Sequence, residues 1–371
     1  MYFLFESSRA RESFLRNAHL TALLNNRSAE VILRAQKMAK ILTDCADDIA
    51  LAGKLLHDGE LVAIPTETVY GLAADAFNED AVRRIFSTKG RPFIDPLIVH
   101  VHSLAQAGTL ADISRPEVKK LADAFWPGPL SLVLPKRENV PALVTAGEPT
   151  VAIRMPAHPL ARKILLAAKT PLAAPSANPF GYVSPTSAAH VQDSLGARLG
   201  WIADGGECEC GIESTIALVP KSGRIKILRL GVITRERIEE VLGEPVEIGV
   251  GLMEKKSESG ESAQIAPGML KKHYSPRVPV ELWNDFSALK ISDNSALVFQ
   301  QRPKTQLDVP AGTQIFWLSE DGDQAQVART IFALLRKLDA TGTFSKILVE
   351  KSPAGGIGDA VNDRLGRAAA K

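Results

Sequence analysis

Between residues 249 and 264 the chain reads GVGLMEKKSESGESAQ, a stretch of small, polar and charged residues. Such a composition has too little apolar surface to build a core, so it reads as a linker. It divides the chain into a longer N-terminal part and a shorter C-terminal part, each of which then needs a core of its own. The full length of 371 residues agrees, since a domain typically takes roughly 100–200 residues. Hydrophobic residues make up 45% and charged residues 23%, ordinary values for globular chains that exclude wholesale disorder. No apolar run in the sequence reaches the roughly 18 residues that a membrane-spanning helix needs.

Lysine and arginine total 44 against 42 aspartates and glutamates, a net charge of +2. That balance argues against a protein that coats nucleic acid. Residues 1–37 alone carry six basic and three acidic residues, a net +3, so the remainder sums to −1. This segment is expected to be an extension. An Arg- and Ser-containing leader fits it, and so does translation starting at Met38, where an ordinary domain opens. There are three cysteines, Cys208 and Cys210 only two apart, and no CxxC pair. A disulfide framework and a zinc finger are therefore not expected, and the chain reads as cytoplasmic.

Apolar periodicity predicts helices at residues 44–57, 79–88, 103–110, 115–125, 160–168, 186–194 and 235–242. Strands are expected at 61–64, 97–101, 130–134, 151–153, 172–174, 201–203, 215–219 and 225–230. They do not alternate strictly, which predicts an α/β fold with a twisted mixed sheet. Beyond Val278, strands at 279–283, 295–299, 314–318 and 346–350 surround a helix at 324–338, which makes a small second α/β domain.

Several segments between these elements are candidates for chemistry. Thr66 and Thr68 follow a strand and Pro65; strand ends are where α/β proteins hold ligands, although Ser/Thr turns are also common caps. Lys89 and Arg91 flank Gly90, and Pro92 pushes Arg91 toward extended backbone. In an extended chain the two cations share a face, which suits a polyphosphate; a solvated basic turn is the plainer alternative. Ser176 and Asn178 sit between Pro175 and Pro179, on one face under the same reasoning. Arg154 and Arg229 lie on apolar strands, where a cation either pairs with a carboxylate or holds an anionic ligand. Neither GxxxxGK[ST] nor GxGxxG occurs, so any ATP chemistry proceeds without a P-loop.

Taken in order, PTETVYGLAADA, KGRP with DPLIVHV, FWPGPLSLVL, VAIRMPAHP, APSANPFGYVSPT, GIESTI and ILRLG closely resemble the YrdC-type threonylcarbamoyl-AMP synthase family. APGMLKKHYSP and the ending GDAVNDRLGRAAA resemble its two-domain form, so the resemblance covers about residues 43–371. It implies a YrdC-like twisted mixed sheet with helices around a basic concave cavity over residues 43–248. It also implies a linker or lid at 249–277 and a small Rossmann-like α/β domain at 278–371. The implied activity is that of a nucleotidyltransferase. L-threonine, bicarbonate and ATP, with Mg²⁺, give L-threonylcarbamoyladenylate and pyrophosphate. The product passes to the tRNA threonylcarbamoyl transferase machinery, for the adenosine next to the anticodon in tRNAs reading codons that start with A. Direct tRNA binding is expected to be weak or absent, with no membrane association.

By the same resemblance, the ATP residues are Lys89, Arg91, Thr150, Ser176, Asn178, Ser184, Arg229 and Tyr274, with Tyr274 folding over the nucleotide. The threonine residues are Thr66, His100, Arg154, the Ala174 backbone and Ser214; metal ligands are not indicated. His158 and Trp126-Pro127-Gly128-Pro129 are read as structural. Ala73-Ala74 departs from the glycine the family often has after Leu72, and is expected only to stiffen a loop. The cluster of Pro267, Met269, His273, Tyr274 and Pro276 reads as a lid rather than a plain tether. Two rivals remain. A double-stranded-RNA-binding module would use the basic cavity, but the net charge of −1 over residues 38–371 disfavours it. A hydrogenase-maturation carbamoyltransferase would carry CxxC zinc fingers, which this chain lacks.

Overall fold

The computed structural model describes residues 38–249, 266–267 and 273–370. The extension at 1–37 and most of the linker, including Met269, lie outside the described residues.

The longer half opens with β1 (Lys40–Leu42), α1 (Ala46–His57), β2 (Val62–Ile64), β3 (Gly71–Asp75) and α2 (Glu79–Lys89). It continues through β4 (Ile98–His100), α3 (Leu104–Gly108), α4 (Pro116–Phe125), β5 (Leu130–Pro135), β6 (Thr150–Arg154) and α5 (Pro159–Ala168). β7 (Leu172–Ala173), α6 (Ala188–Leu195), β8 (Trp201–Ala203), β9 (Thr215–Leu218), β10 (Lys226–Arg229), α7 (Arg235–Leu242) and β11 (Glu247–Ile248) complete it. The strands form one mixed sheet in the order β1-β8-β2-β3-β7-β4-β6-β5-β9-β10-β11. Its central strands are buried on both faces, which explains their unbroken apolar runs.

Local chemistry sets the helix limits. Asn78 accepts from the Ala81 amide to start α2, and Gly90, at φ 65°, ends it in the left-handed conformation. α1 and α5 pack against one another so closely that a Cβ on Gly53 would lie 2.6 Å from Ala167. Leu56, Ile164 and Leu165 fill that contact.

Two expectations are corrected here. Residues 71–75 form strand β3 rather than a loop, so Ala73 and Ala74 are buried sheet residues opposite Val62 and Ala173. Lys89 is the last residue of α2, not part of an extended pair with Arg91. The edge strands β1 and β11, three and two residues long, escaped the periodicity reading.

The shorter half contains β12 (Val280–Trp283), β13 (Ser295–Gln301), β14 (Gln314–Ser319), α8 (Gln324–Thr341), β15 (Lys346–Glu350) and α9 (Gly356–Ala368). Its sheet is wholly parallel, in the order β12-β15-β13-β14. The two halves share a core: Val69, Val183, Ile212 and Tyr274 belong to the same apolar cluster as Val327, Ile331 and Phe332 of α8. Arg336 of α8 donates to the carbonyls of Val183 (2.7 Å) and Ser184 (3.2 Å), and its guanidinium lies over the Tyr182 ring. Tyr182 in turn donates to Asp339 at 2.7 Å. No helix among the described residues is long and apolar enough to cross a membrane.

Candidate active site

Parallel neighbours β4 and β6 end side by side, with His100 opposite Arg154. The loops after β2 and β7, the entry to β9 and the end of β10 converge on this point. They line a cavity, closed on one side by Pro267, His273 and Tyr274 of the linker. A crevice at strand ends, with loops supplying polar groups, is where α/β folds bind ligands.

Arg154 is held in place before any ligand arrives. Glu67 Oε1 pairs with its Nη2 at 2.7 Å, Thr68 Oγ1 accepts from Nη1 at 2.8 Å, and the Gly128 carbonyl accepts from Nε at 3.3 Å. Gly128 fits because a Cβ there would lie 2.3 Å from the Phe125 carbonyl. Burial alone would raise the Glu67 carboxyl, but Arg154 outweighs it and holds the group ionised below its usual value. Thr66 hydrogen-bonds Thr68 at 2.8 Å and donates to the Val69 carbonyl at 2.6 Å, so the predicted turn is a stiff hydroxyl ladder. His100 is buried in the wall, and burial together with Arg154 pushes its imidazole down to about 3, so it is neutral.

Arg91 lines the cavity and is braced by Asp95 at 3.0 Å and by the Pro96 carbonyl at 2.7 Å. Lys89 does not line it. Its ammonium donates at 2.5 Å to both the Ser176 and the Asn178 carbonyls, behind the loop that presents Ser176. The intervening left-handed glycine turns the two cations apart, and this replaces the shared-face expectation. Ser176 faces the cavity; Asn178 does not, since its Nδ2 donates to the Pro179 and Tyr182 carbonyls and braces the loop from within.

On the opposite wall Arg229 donates to the Ser214 hydroxyl and carbonyl, both at 3.0 Å, and to the Pro267 carbonyl at 3.3 Å. Ser214 also hydrogen-bonds Ser131 at 2.8 Å. Beside them is Glu213, paired with Arg364 at 2.8 Å and bonded by Ser184 at 2.5 Å. Ser184 therefore supports the wall instead of lining it. Thr150 does not line it either; it begins β6, four residues before Arg154, about 13 Å away along a strand. Tyr274 is buried at φ 61°, with its ring stacked on Phe332 (5.4 Å). Ala174 completes the wall, its amide bonded to the Ile98 carbonyl at 3.0 Å.

Glu67 and Glu213 are the carboxylates of the site that the sequence reading passed over, whereas Pro267 and His273 belong to the segment it read as a lid. Glu67 and Glu213 stood inside quoted segments, and a lone carboxylate beside hydroxyls gave no spacing signal. His158 behaves as expected: its Nε2 meets the Gly205 carbonyl at 3.2 Å, outside the cavity. Among the described residues no group of three His, Cys, Asp or Glu could hold a metal.

Two family models match almost end to end. One, described as telomere recombination, matches residues 54–231; the other, described as the threonylcarbamoyl-AMP synthase C-terminal domain, matches residues 233–370. The chain is 41% identical over 86% of its length to threonylcarbamoyl-AMP synthase of Pyrococcus abyssi, covering 93% of that protein. It belongs to the two-domain Sua5 family. The Bacillus subtilis threonylcarbamoyl-AMP synthase is 39% identical over 86% of this chain and 92% of its own length. The P. abyssi Sua5 structure with L-threonine superposes with a TM-score of 0.79 at 38% identity, covering 89% of this chain and 98% of that one. A Sua5-family chain with this mixed sheet and second parallel sheet is a nucleotidyltransferase-type enzyme.

Proposed function

We propose that this Sua5-family enzyme converts L-threonine, bicarbonate and ATP into L-threonylcarbamoyladenylate and pyrophosphate in the cavity between β4, β6 and β10. The observation that carries the reading is the Arg154 guanidinium, pre-set by Glu67 and Thr68 at the end of β6 and facing a wall that holds Arg91 and Arg229. Arg154 retains N–H donors for a bidentate amino-acid carboxylate. Thr66, Ser214, the Ala174 backbone and neutral His100 surround that point and suit the hydroxyl and ammonium of threonine.

In the net reaction the threonine nitrogen becomes bonded to the bicarbonate carbon with loss of water. An oxygen of that carbamate becomes bonded to the α-phosphorus, and the bond from the α-phosphorus to the pyrophosphate oxygen breaks. Displacement of this kind needs position and charge more than covalent help. Arg91 and Arg229 are placed to neutralise the departing pyrophosphate. Lys89 fixes the loop bearing Ser176 through the Ser176 and Asn178 carbonyls; Mg²⁺ enters with the nucleotide. Tyr274 and His273 exclude water from the mixed anhydride. We further propose that the product is handed to the tRNA threonylcarbamoyl transferase machinery for the adenosine beside the anticodon, and that the reaction runs in the cytoplasm, where free cysteines such as Cys208 remain reduced.

The test is incubation with ATP, bicarbonate and L-threonine, following pyrophosphate. Threonine-dependent release is expected, with the adenylate found by mass spectrometry; release that ignores threonine would overturn the reading.

A further inference from the structure

Among the described residues the cavity wall contains one carboxylate, Glu213, alongside the arginines Arg91, Arg154 and Arg229. Glu213 is buried and ionised: burial alone would raise its carboxyl, but Arg364, Arg229 and the Ser184 hydroxyl hold it below its usual value. An ionised carboxylate in that place repels a nucleotide triphosphate. Arg91 and Arg154 already face Asp95 and Glu67. Among the described residues no carboxylate stands within ion-pair distance of Arg229, so this cation sets the positive surplus of the cavity wall. Glu213 would cancel part of that surplus if it lacked a partner of its own.

Its partner comes from the other domain. Arg364 lies on α9, is fully buried, and reaches Glu213 Oε2 with Nε at 2.8 Å. Its Nη2 donates to the Leu230 carbonyl at 2.8 Å, next to Arg229, and its guanidinium sits 5.5 Å from the centre of the Tyr274 ring. Asp363, which also pairs with Arg364, is matched by Arg367. The group thus adds no net negative charge behind the wall. Arg364 itself does not line the cavity.

We propose that Arg364 is a positioning residue for the nucleotide half of the cavity, supplied by the C-terminal domain. It neutralises Glu213 in the wall and holds the Tyr274 ring from outside the substrate volume. This rests on the nucleotide reading above and gives the C-terminal domain a part in that site without contact to the reacting atoms. The role is electrostatic, so it is separable from mere attachment of the domains.

Nucleotide and threonine affinities are measured by calorimetry, with an ATP analogue carrying a methylene between its α- and β-phosphorus and with L-threonine alone. Arg364→Gln is expected to weaken the analogue at least tenfold while threonine stays within twofold. Adding Glu213→Gln removes the second charge and is expected to bring the analogue back within threefold of the unmodified protein. A folded Arg364→Gln protein with analogue affinity within twofold overturns the proposal. So does an equal loss for both ligands, or a double variant no better than the single one. Should Arg364→Gln alone fail to fold, the double variant still decides: analogue binding within threefold supports the proposal, and a tenfold loss overturns it. Unmodified protein that binds no nucleotide would overturn the site reading itself, and this inference with it.

Discussion

Arg154 was readable from sequence because a cation on an apolar strand needs a reason, and its reason lies at the strand's end. Its partner Glu67 was not readable, because the pair is 87 residues apart in the chain and meets only through the sheet. Arg154→Lys should raise the KM for threonine at least several-fold more than that for ATP, since an ammonium cannot serve Glu67, Thr68 and a ligand carboxylate together; equal changes in both would count against the assignment. Arg91→Ala removes a charge-assisted contact worth about 1.5–3 kcal/mol, so ATP use should fall roughly 10–100-fold. Steady-state kinetics like those of the unmodified enzyme would refute that role. Lys89 was misplaced because Pro92 dictates extension only at Arg91, whereas the apolar period of α2 carries Lys89 into the helix. Two histidines add a pH signature. Burial pushes His100 and His273 down to about 3 from an unfolded value near 6.5. The unfolded chain therefore binds protons that the folded one refuses. This contribution is fully present above pH 6.5 and is lost as pH falls from there toward 3, by at most about 1.4 kcal/mol per unit for each ring. A His273→Asn protein should show a shallower fall in Tm over that range, and an unchanged slope would contradict the assignment.

Long periodic elements were legible, and short ones were set by their neighbours. α8 shows its apolar stripe directly in sequence, and in the structure the Asp323 side chain caps it by accepting from the Ala325 and Gln326 amides. β3 does not: Gly71-Leu72-Ala73-Ala74 has no β-branched residue, and only pairing with β2 and β7 makes it a strand. α9 was missed because it opens on Gly355 and Gly356, residues that punctuate loops more often than helices. The junction between elements has its own weak point at Gly211. Its φ is +74°, and a Cβ there would come within 2.4–2.5 Å of the α8 backbone at Ala328 and Arg329. Gly211→Ala should lower stability by roughly 2–4 kcal/mol, read as a drop in Tm. A variant as stable as the parent would mean that α8 is not seated there. Tyr274→Ala removes the ring that covers the cavity and should lower the yield of intact adenylate more than the release of pyrophosphate; an unchanged ratio would leave the ring as packing only.

Two domains could be read from the polar linker, but not that they share apolar residues, because a linker says nothing about what the halves do afterwards. With Val69, Val183 and Ile212 inside the core of the C-terminal half, neither half can unfold without exposing apolar surface of the other. Calorimetry should therefore show a single cooperative transition, moved upward by ATP and threonine together. Two separated transitions would refute the shared core. The setting of Tyr274 has an optical consequence. Its phenol is clamped between the Phe332 ring and the Arg364 guanidinium, in a dry and asymmetric place. The chain has only 4 tyrosines, so a ring fixed this way should contribute a distinct near-ultraviolet circular dichroism band. That band would let the closure of the cavity be watched in solution with no label attached, fading whenever the ring leaves its seat and returning when it settles back.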